Sequence, residues 1–298
     1  MRVRGVNAAL LLTAVGALAT AAPSPSLLAQ SPHLVAASAA AADSAAARRH
    51  PLLTRRDLAA LGALAVATAA LFPADPQIAE EFRDPAPQRN ALLRRGARAF
   101  DVVGDPGTVV IGAGAYALGR LARSDHLADL GLHATEALVL SGGTTALIKG
   151  LAGRQRPFLD RADADRFALG RGFASGDRAS FPSGHTTAAF ALASAATEET
   201  RHWWPHAPWV VGPLLYGGAA MVGLARIYDD RHWASDVVLG AGIGTISGLA
   251  VVRDNHDRPR NPVNRWLGVA RAAVPSPSIA AATAGGGDVA LAWRLTTR

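Results

Sequence analysis

The chain of 298 residues is half hydrophobic, enough for a sizeable core, and its formal charge is +7, from 30 Lys+Arg against 23 Asp+Glu. It contains no cysteine, which excludes disulfides, thiolate catalysis, Cys-ligated zinc or iron–sulfur centres and a lipid-modified N-terminal Cys. Every basic residue except Lys149 is Arg, and these are scattered among Asp and Glu instead of forming a stripe. The charge is therefore read as a GC-rich coding background, with no nucleic-acid partner.

In chain order, Arg2 and Arg4 precede the apolar stretch Ala8–Leu18 and the small-residue run Ala19-Thr20-Ala21. That order predicts a secretory signal over 1–22, with an ordinary Ala-rich helix as the plainer reading. Residues 23–54 are rich in Ala, Ser and Pro and read as a tether. A folded domain is expected over 55–255. Six apolar core helices are predicted at Leu58–Phe72, Thr108–Leu121, Asp125–Leu151, Thr186–Thr197, Trp209–Ala225 and Ala234–Val252. Between the first two, Asp75–Val103 sets Ile78, Phe82, Leu92, Leu93, Ala97 and Phe100 at helical spacing. Phe158–Ser180 is a loop dense in Arg and Asp. In the tail, 256–298, Val289, Leu291, Trp293 and Leu295 alternate with smaller or polar residues. Ser278–Ala282 is a candidate partner strand, with Gly285-Gly286-Gly287 as the turn of an expected small hairpin. The fold class is all-α: an antiparallel bundle of about six helices with that hairpin appended.

Short connections make sequential helices antiparallel, so helix direction alternates along the chain. Parity alone then brings Lys149, Arg156, Ser183, His185, Arg226, His232 and Asp236 to one end. There Ser183 is an N-cap candidate before an Ala-rich run, and Gly184 permits close backbone approach. A helix N-terminus attracts anions through its unpaired N–H groups. His185, just inside it, is placed to protonate a leaving oxygen. His232 and Asp236 are four apart and share a helix face. A carboxylate on one imidazole nitrogen fixes the tautomer and leaves the other nitrogen free to attack. Lys149, Arg156 and Arg226 supply cations for a multiply charged oxyanion, most simply phosphate. Taken singly, each of these is most often structural: a capped helix, a solvated Arg, a packed His–Asp pair. Arg161, Arg166, Arg171 and Arg178 in the long loop read either as contacts to a second phosphate or headgroup or as a solvated face.

The motifs stand as Lys-x6-Arg-Pro (149–157), Pro-Ser-Gly-His (182–185) and Arg-x5-His-x3-Asp (226–236). This set resembles the three-part signature of the type 2 phosphatidic acid phosphatase (PAP2) superfamily, which includes bacterial acid phosphatases and vanadium haloperoxidases. The resemblance implies that His232 attacks phosphorus to form a phosphohistidine, that Asp236 orients it, and that His185 protonates the leaving alcohol. It implies that Lys149, Arg156, Arg226, Ser183 and the Gly184 N–H hold the phosphate oxygens. It implies no metal and no cofactor, with vanadate acting as an inhibitor. One departure is Ala225, where the family often has Ser before the Arg. The expected partner is a phosphorylated small molecule or lipid, and the oligomeric state is left open. The alternatives are a vanadate-dependent haloperoxidase, in which vanadate is the cofactor, and a non-catalytic cell-envelope binding protein. The apolar segments, mostly 14 to 19 residues, look short for spanning a bilayer. The expected location is therefore the periplasm or cell envelope, soluble or peripheral in preference to integral, with the integral reading and contact with a membrane surface left open.

Overall fold

The structure is a computed structural model and describes residues 51–102, 107–259, 261, 264, 282–283 and 289–290. The expected signal and most of the tether lie outside the described residues. The chain is all-α as expected: α1 (Arg55–Leu71), a 3-10 turn (Phe72–Ala74), α2 (Asp75–Arg83), α3 (Pro85–Arg89), α4 (Ala91–Val102), α5 (Thr108–Leu121), α6 (Asp125–Ala152), α7 (Gly184–Trp203), α8 (Pro208–Tyr228) and α9 (Ala234–Asp257). In the tail, Ala282–Thr283 pairs antiparallel with Val289–Ala290, in the register Ala282↔Ala290 and Thr283↔Val289.

Local chemistry sets the helix ends. Thr54 and Asp57 form a capping box on α1: the Asp57 N–H donates to Thr54 Oγ1 at 3.2 Å and the Thr54 N–H to Asp57 Oδ2 at 2.7 Å. Arg253, near the end of α9, donates to the same Asp57 carboxylate at 2.6 Å and ties the two helices together. At the other limit of the site region, α6 ends on Gly153 with φ +61°. A Cβ there would lie 1.9 Å from the Ala168 carbonyl oxygen, so glycine is required on both counts. This stop turns the chain abruptly into the extended segment Arg154-Gln155-Arg156.

The core is a small-residue seam. α9 packs against α7, α6 and α1; α7 also contacts α6 and α8; α5 lies on α6, and α4 on α8. Ala134, Ala137, Ala191 and Ala195 are buried with Leu138, Val251 and Val252. At Gly244 of α9 a Cβ would fall 2.3 Å from the Thr187 carbonyl oxygen of α7, so the two helices nearly touch through their backbones. That contact sets their N-termini side by side, and the Ser183 N–H donates to the Asp236 carbonyl oxygen at 3.0 Å.

The expected soluble or peripheral location is overturned. Three helical stretches are long and apolar enough to cross a membrane: Arg55–Arg83 (29 residues), Pro208–Tyr228 (21 residues) and Ala234–Asp257 (24 residues). Counting from first to last apolar residue had cut them short, because polar residues near helix ends lie within the helix and can sit at a membrane interface. Their outer faces agree. Leu58, Val66, Trp209, Val210 and Leu214 are exposed, as are Val109, Val110, Ile111, Leu118 and Leu121 on α5. An apolar surface of this extent belongs in lipid. The chain therefore points to an integral membrane protein.

Candidate active site

All eight residues singled out from sequence gather at one end of the bundle. Ser183 sits at the N-cap of α7 and is fully buried, yet its side chain makes no cap bond; its Oγ instead accepts from Thr186 Oγ1 at 2.8 Å. Open space faces Gly184, where an added Cβ would meet nothing within 4 Å, and His185 beside it is partly exposed. The start of α7 thus presents backbone N–H groups towards space a ligand can enter.

Arg226 lies in the last turn of α8. Its carbonyl oxygen accepts from the Arg231 N–H at 3.0 Å and from the His232 N–H at 3.2 Å, fixing the turn that carries His232. His232 is buried, and its Nδ1 stands 3.5 Å from Asp236 Oδ2 in the first turn of α9. Burial, with the Lys149 and Arg156 charges nearby, pushes the imidazole down to about 3 against the pull of Asp236. It is therefore neutral at ordinary pH, the form a nucleophile needs.

The two cations of the first motif grip the loop that leads into α7. Lys149 Nζ donates to the carbonyls of Ala179 at 2.6 Å and Pro182 at 2.8 Å. Arg156 donates from Nε to Gly176 O at 2.8 Å and from Nη1 to Arg231 O at 3.2 Å, next to His232. Burial, together with the neighbouring Arg156 charge, brings Lys149 down to about 8. Burial, followed by repulsion from Arg231, also lowers Arg156.

Sequence reasoning missed the residue at the centre. Arg154, fully buried, donates from Nη1 to Asp236 Oδ1 at 2.7 Å and to Ser235 Oγ at 2.7 Å. From Nη2 it donates to Asp75 Oδ2, again at 2.7 Å. Its guanidinium lies among the rings of Phe72, Trp233, Phe167 and Phe181, at 4.6, 5.3, 5.3 and 5.9 Å from their centroids. Ser180 Oγ and the Trp233 N–H donate to Asp236 Oδ2 at 2.5 and 2.9 Å. The available signal was Arg-Gln-Arg before Pro157. In extended backbone, confirmed by the antiparallel bridge Arg154↔Phe167, residues two apart share a side and their side chains can serve one site. Asp75, 79 positions from Arg154, gave no signal at all. Of the loop arginines, Arg161 pairs with buried Asp230 at 2.6 Å and Arg166 with Asp163 at 3.1 Å, so both are occupied in holding the loop.

A helix N-terminus, the cations Lys149 and Arg156 with Arg226 in the preceding helix turn, and a neutral imidazole beside a carboxylate are an arrangement that can receive an oxyanion. Over residues 130–260 the sequence matches the family model described as the PAP2 superfamily. The recognition made from the three motifs holds. The curated lipid A 1-phosphatase of Porphyromonas gingivalis is 40% identical over 89 residues, which is 29% of this chain and 19% of that protein. The chain thus spans about a fifth of the length of the curated relative it matches. Among solved structures, a transmembrane PAP2-type phosphatidylglycerolphosphate phosphatase from Bacillus subtilis matches with a TM-score of 0.49 and 21% identity, covering 70% of this chain and 100% of that one.

Proposed function

We propose that this chain is a membrane-embedded, metal-independent phosphatase acting on a lipid phosphate or pyrophosphate, through a phosphohistidine at His232. The carrying observation is the neutral, buried His232, backed by an Asp236 carboxylate that Arg154, Ser180 and the Trp233 backbone already hold. The PAP2 match and the stretch shared with a lipid A 1-phosphatase support the phosphatase class.

In the first step the free His232 nitrogen, Nε2, attacks phosphorus and the P–O bond to the leaving group breaks. His185 gives its proton to the departing oxygen. In the second step His185 takes a proton from water, the water oxygen attacks phosphorus, and the P–N bond breaks to release phosphate. Arg226, Arg156, Lys149, Ser183 and the first N–H groups of α7 balance charge on the equatorial oxygens. For the cations this requires trading some carbonyl contacts for phosphate. An apolar cavity of about 530 Å³ between α4 and α8, lined by Phe82, Leu92, Leu93, Phe100, Met221 and Leu224, abuts the turn of α8 that carries Arg226. Its place and its lining suit an acyl chain of the substrate.

The test is phosphate release in detergent and EDTA from phosphatidic acid, from a lipid pyrophosphate and from a soluble aryl phosphate, with His232→Ala alongside. Turnover that vanishes in the variant, and base-stable phosphoprotein in the wild type alone, are the expected results. Turnover that survives His232→Ala sinks the nucleophile assignment. Vanadate should inhibit; halide oxidation with vanadate and no phosphate release would place the chain with the haloperoxidases. No turnover of any kind would leave the binding-protein reading.

A further inference from the structure

The far end of the same bundle holds a second polar cluster that the phosphatase reading does not use. On α6, Asp129, His133 and Glu136 fall at i, i+4 and i+7 and so share one face. The buried Glu199 carboxylate of α7 bonds His133 Nδ1 on one side. On the other it lies 3.2 and 3.3 Å from His256 Nε2 of α9. His202, one turn from Glu199, stacks on His256 with ring centroids 3.7 Å apart. At about 1.5 Å per residue, His133 lies roughly 24 Å from Lys149 along α6, and Glu199 roughly 21 Å from His185 along α7. The cluster is therefore remote from the phosphate site.

Three features point to a ligand. One ligating atom from each of His133, Glu199 and His256 lies within 4.8 Å of the others. A cavity of about 100 Å³ opens on His133 and His256, with Asp129, Asn255 and Asn264 in its wall. That volume exceeds the roughly 30 Å³ share of one water. Asn264 is 6% exposed, its Nδ2 donates to Asn255 Oδ1 at 2.7 Å, and its Oδ1 is buried without a hydrogen-bond partner among the described residues.

We propose that the far ends of α6, α7 and α9 form a site for a divalent transition ion of the zinc class, ligated by His133, Glu199 and His256, with the cavity holding its remaining water. Two imidazoles and a carboxylate are borderline ligands that suit Zn²⁺ and Co²⁺ over Mg²⁺ or Ca²⁺. The ion takes the place of the His133–Glu199 hydrogen bond, with each imidazole ligating through a ring nitrogen that carries no proton. Asn264 Oδ1 accepts a hydrogen bond from the ion's water, and Asp129 borders the open side. Because the three ligands come from three helices, the ion acts as a brace on the bundle and takes no part in phosphoryl transfer.

The test uses the full chain, without a histidine tag, purified in detergent, stripped with EDTA and titrated with Co²⁺ as a visible probe. About one equivalent should bind with d–d absorption, be displaced by Zn²⁺, and raise the thermal midpoint by several degrees. Glu199→Gln, which keeps the shape of the side chain, and His256→Ala should each weaken Co²⁺ by at least about tenfold. His206→Ala, an exposed histidine outside the cluster, should not. Circular dichroism verifies that each variant is folded. Binding well below one equivalent, or equal affinity in folded Glu199→Gln, overturns the proposal.

Discussion

The two ends of the bundle bury the same chemical pair and treat it differently. At the phosphate end, three protein donors besides the imidazole hold Asp236: Arg154, Ser180 and the Trp233 N–H. His232 stands 3.5 Å away. At the far end, the partners of Glu199 among the described residues are imidazoles, His133 and His256. A carboxylate satisfied by others can orient a histidine without taking its proton or its freedom to react. One that depends on its histidines is locked to them and available as a ligand. With His232 as nucleophile and Glu199 as metal ligand, as proposed, the surrounding donors, more than the His–carboxylate pair itself, would decide which role the pair takes.

The largest effect should come from exchanging the two carboxylates for amides. Asp236→Asn should lower kcat by about 10⁴-fold, the scale seen when the orienting acid of a triad becomes an amide. Glu199→Gln should leave phosphate release within about twofold, because nothing at that end meets substrate. Initial rates on both purified variants check this, and a comparable loss in both would remove the distinction between the ends.

Next comes Arg154→Met. The substitution keeps bulk among the four rings but strands Asp75 and Asp236 as buried charges. Losing one partner of a buried pair costs about 3–5 kcal/mol. The thermal midpoint should fall steeply, and kcat should fall with it because Asp236 loses its anchor. Arg154→Lys should recover only part of either, since an ammonium cannot span both carboxylates in one plane. A variant with an unchanged midpoint would mean that the arginine is not the keystone its contacts describe.

A smaller effect is expected in pH. Lys149 is brought down to about 8, so the free enzyme loses this cation above that pH, well before an ordinary lysine would. Loss of the charge weakens phosphate binding. Accordingly kcat/KM should fall about tenfold per pH unit above 8, while bound phosphate draws the lysine back up and holds kcat to higher pH. Lys149→Arg should carry the alkaline limb out of range. An identical limb in that variant would assign it to another group.

How much of this was legible depended on whether the chemistry lay close in sequence. His232 and Asp236, or Ser183 to His185, fall within a turn or so, and helix parity sufficed to bring the groups together. The Arg154–Asp75 pair spans 79 residues, and His133, Glu199 and His256 sit on three helices without any shared spacing. Such contacts exist only after the Ala/Gly seam draws the helices together, and no single segment encodes them. The membrane spans were misjudged for a different reason. Residue counts taken between polar residues omit the helix ends, where polar groups are tolerated.

The smallest expected effect concerns Ala225, where the family often carries Ser. A hydroxyl missing from that position would be a contact missing to phosphate or to the nucleophile. Ala225 is buried in an apolar cluster with Ala97 and Tyr228, backed by Phe82 and Phe100, on the α4 side of α8. A hydroxyl added there meets carbon, and burying it without a partner costs about 1–3 kcal/mol by mutational measure. It can lower that cost by donating back to the carbonyl four residues earlier, as Thr197 Oγ1 does to Ala193 O at 2.7 Å. Ala225→Ser should therefore lower the thermal midpoint by a few degrees and leave kcat within about twofold. A gain in kcat with no loss of stability would instead show that the serine hydroxyl reaches across α8 to the phosphate end, and that this chain works without a contact its relatives use.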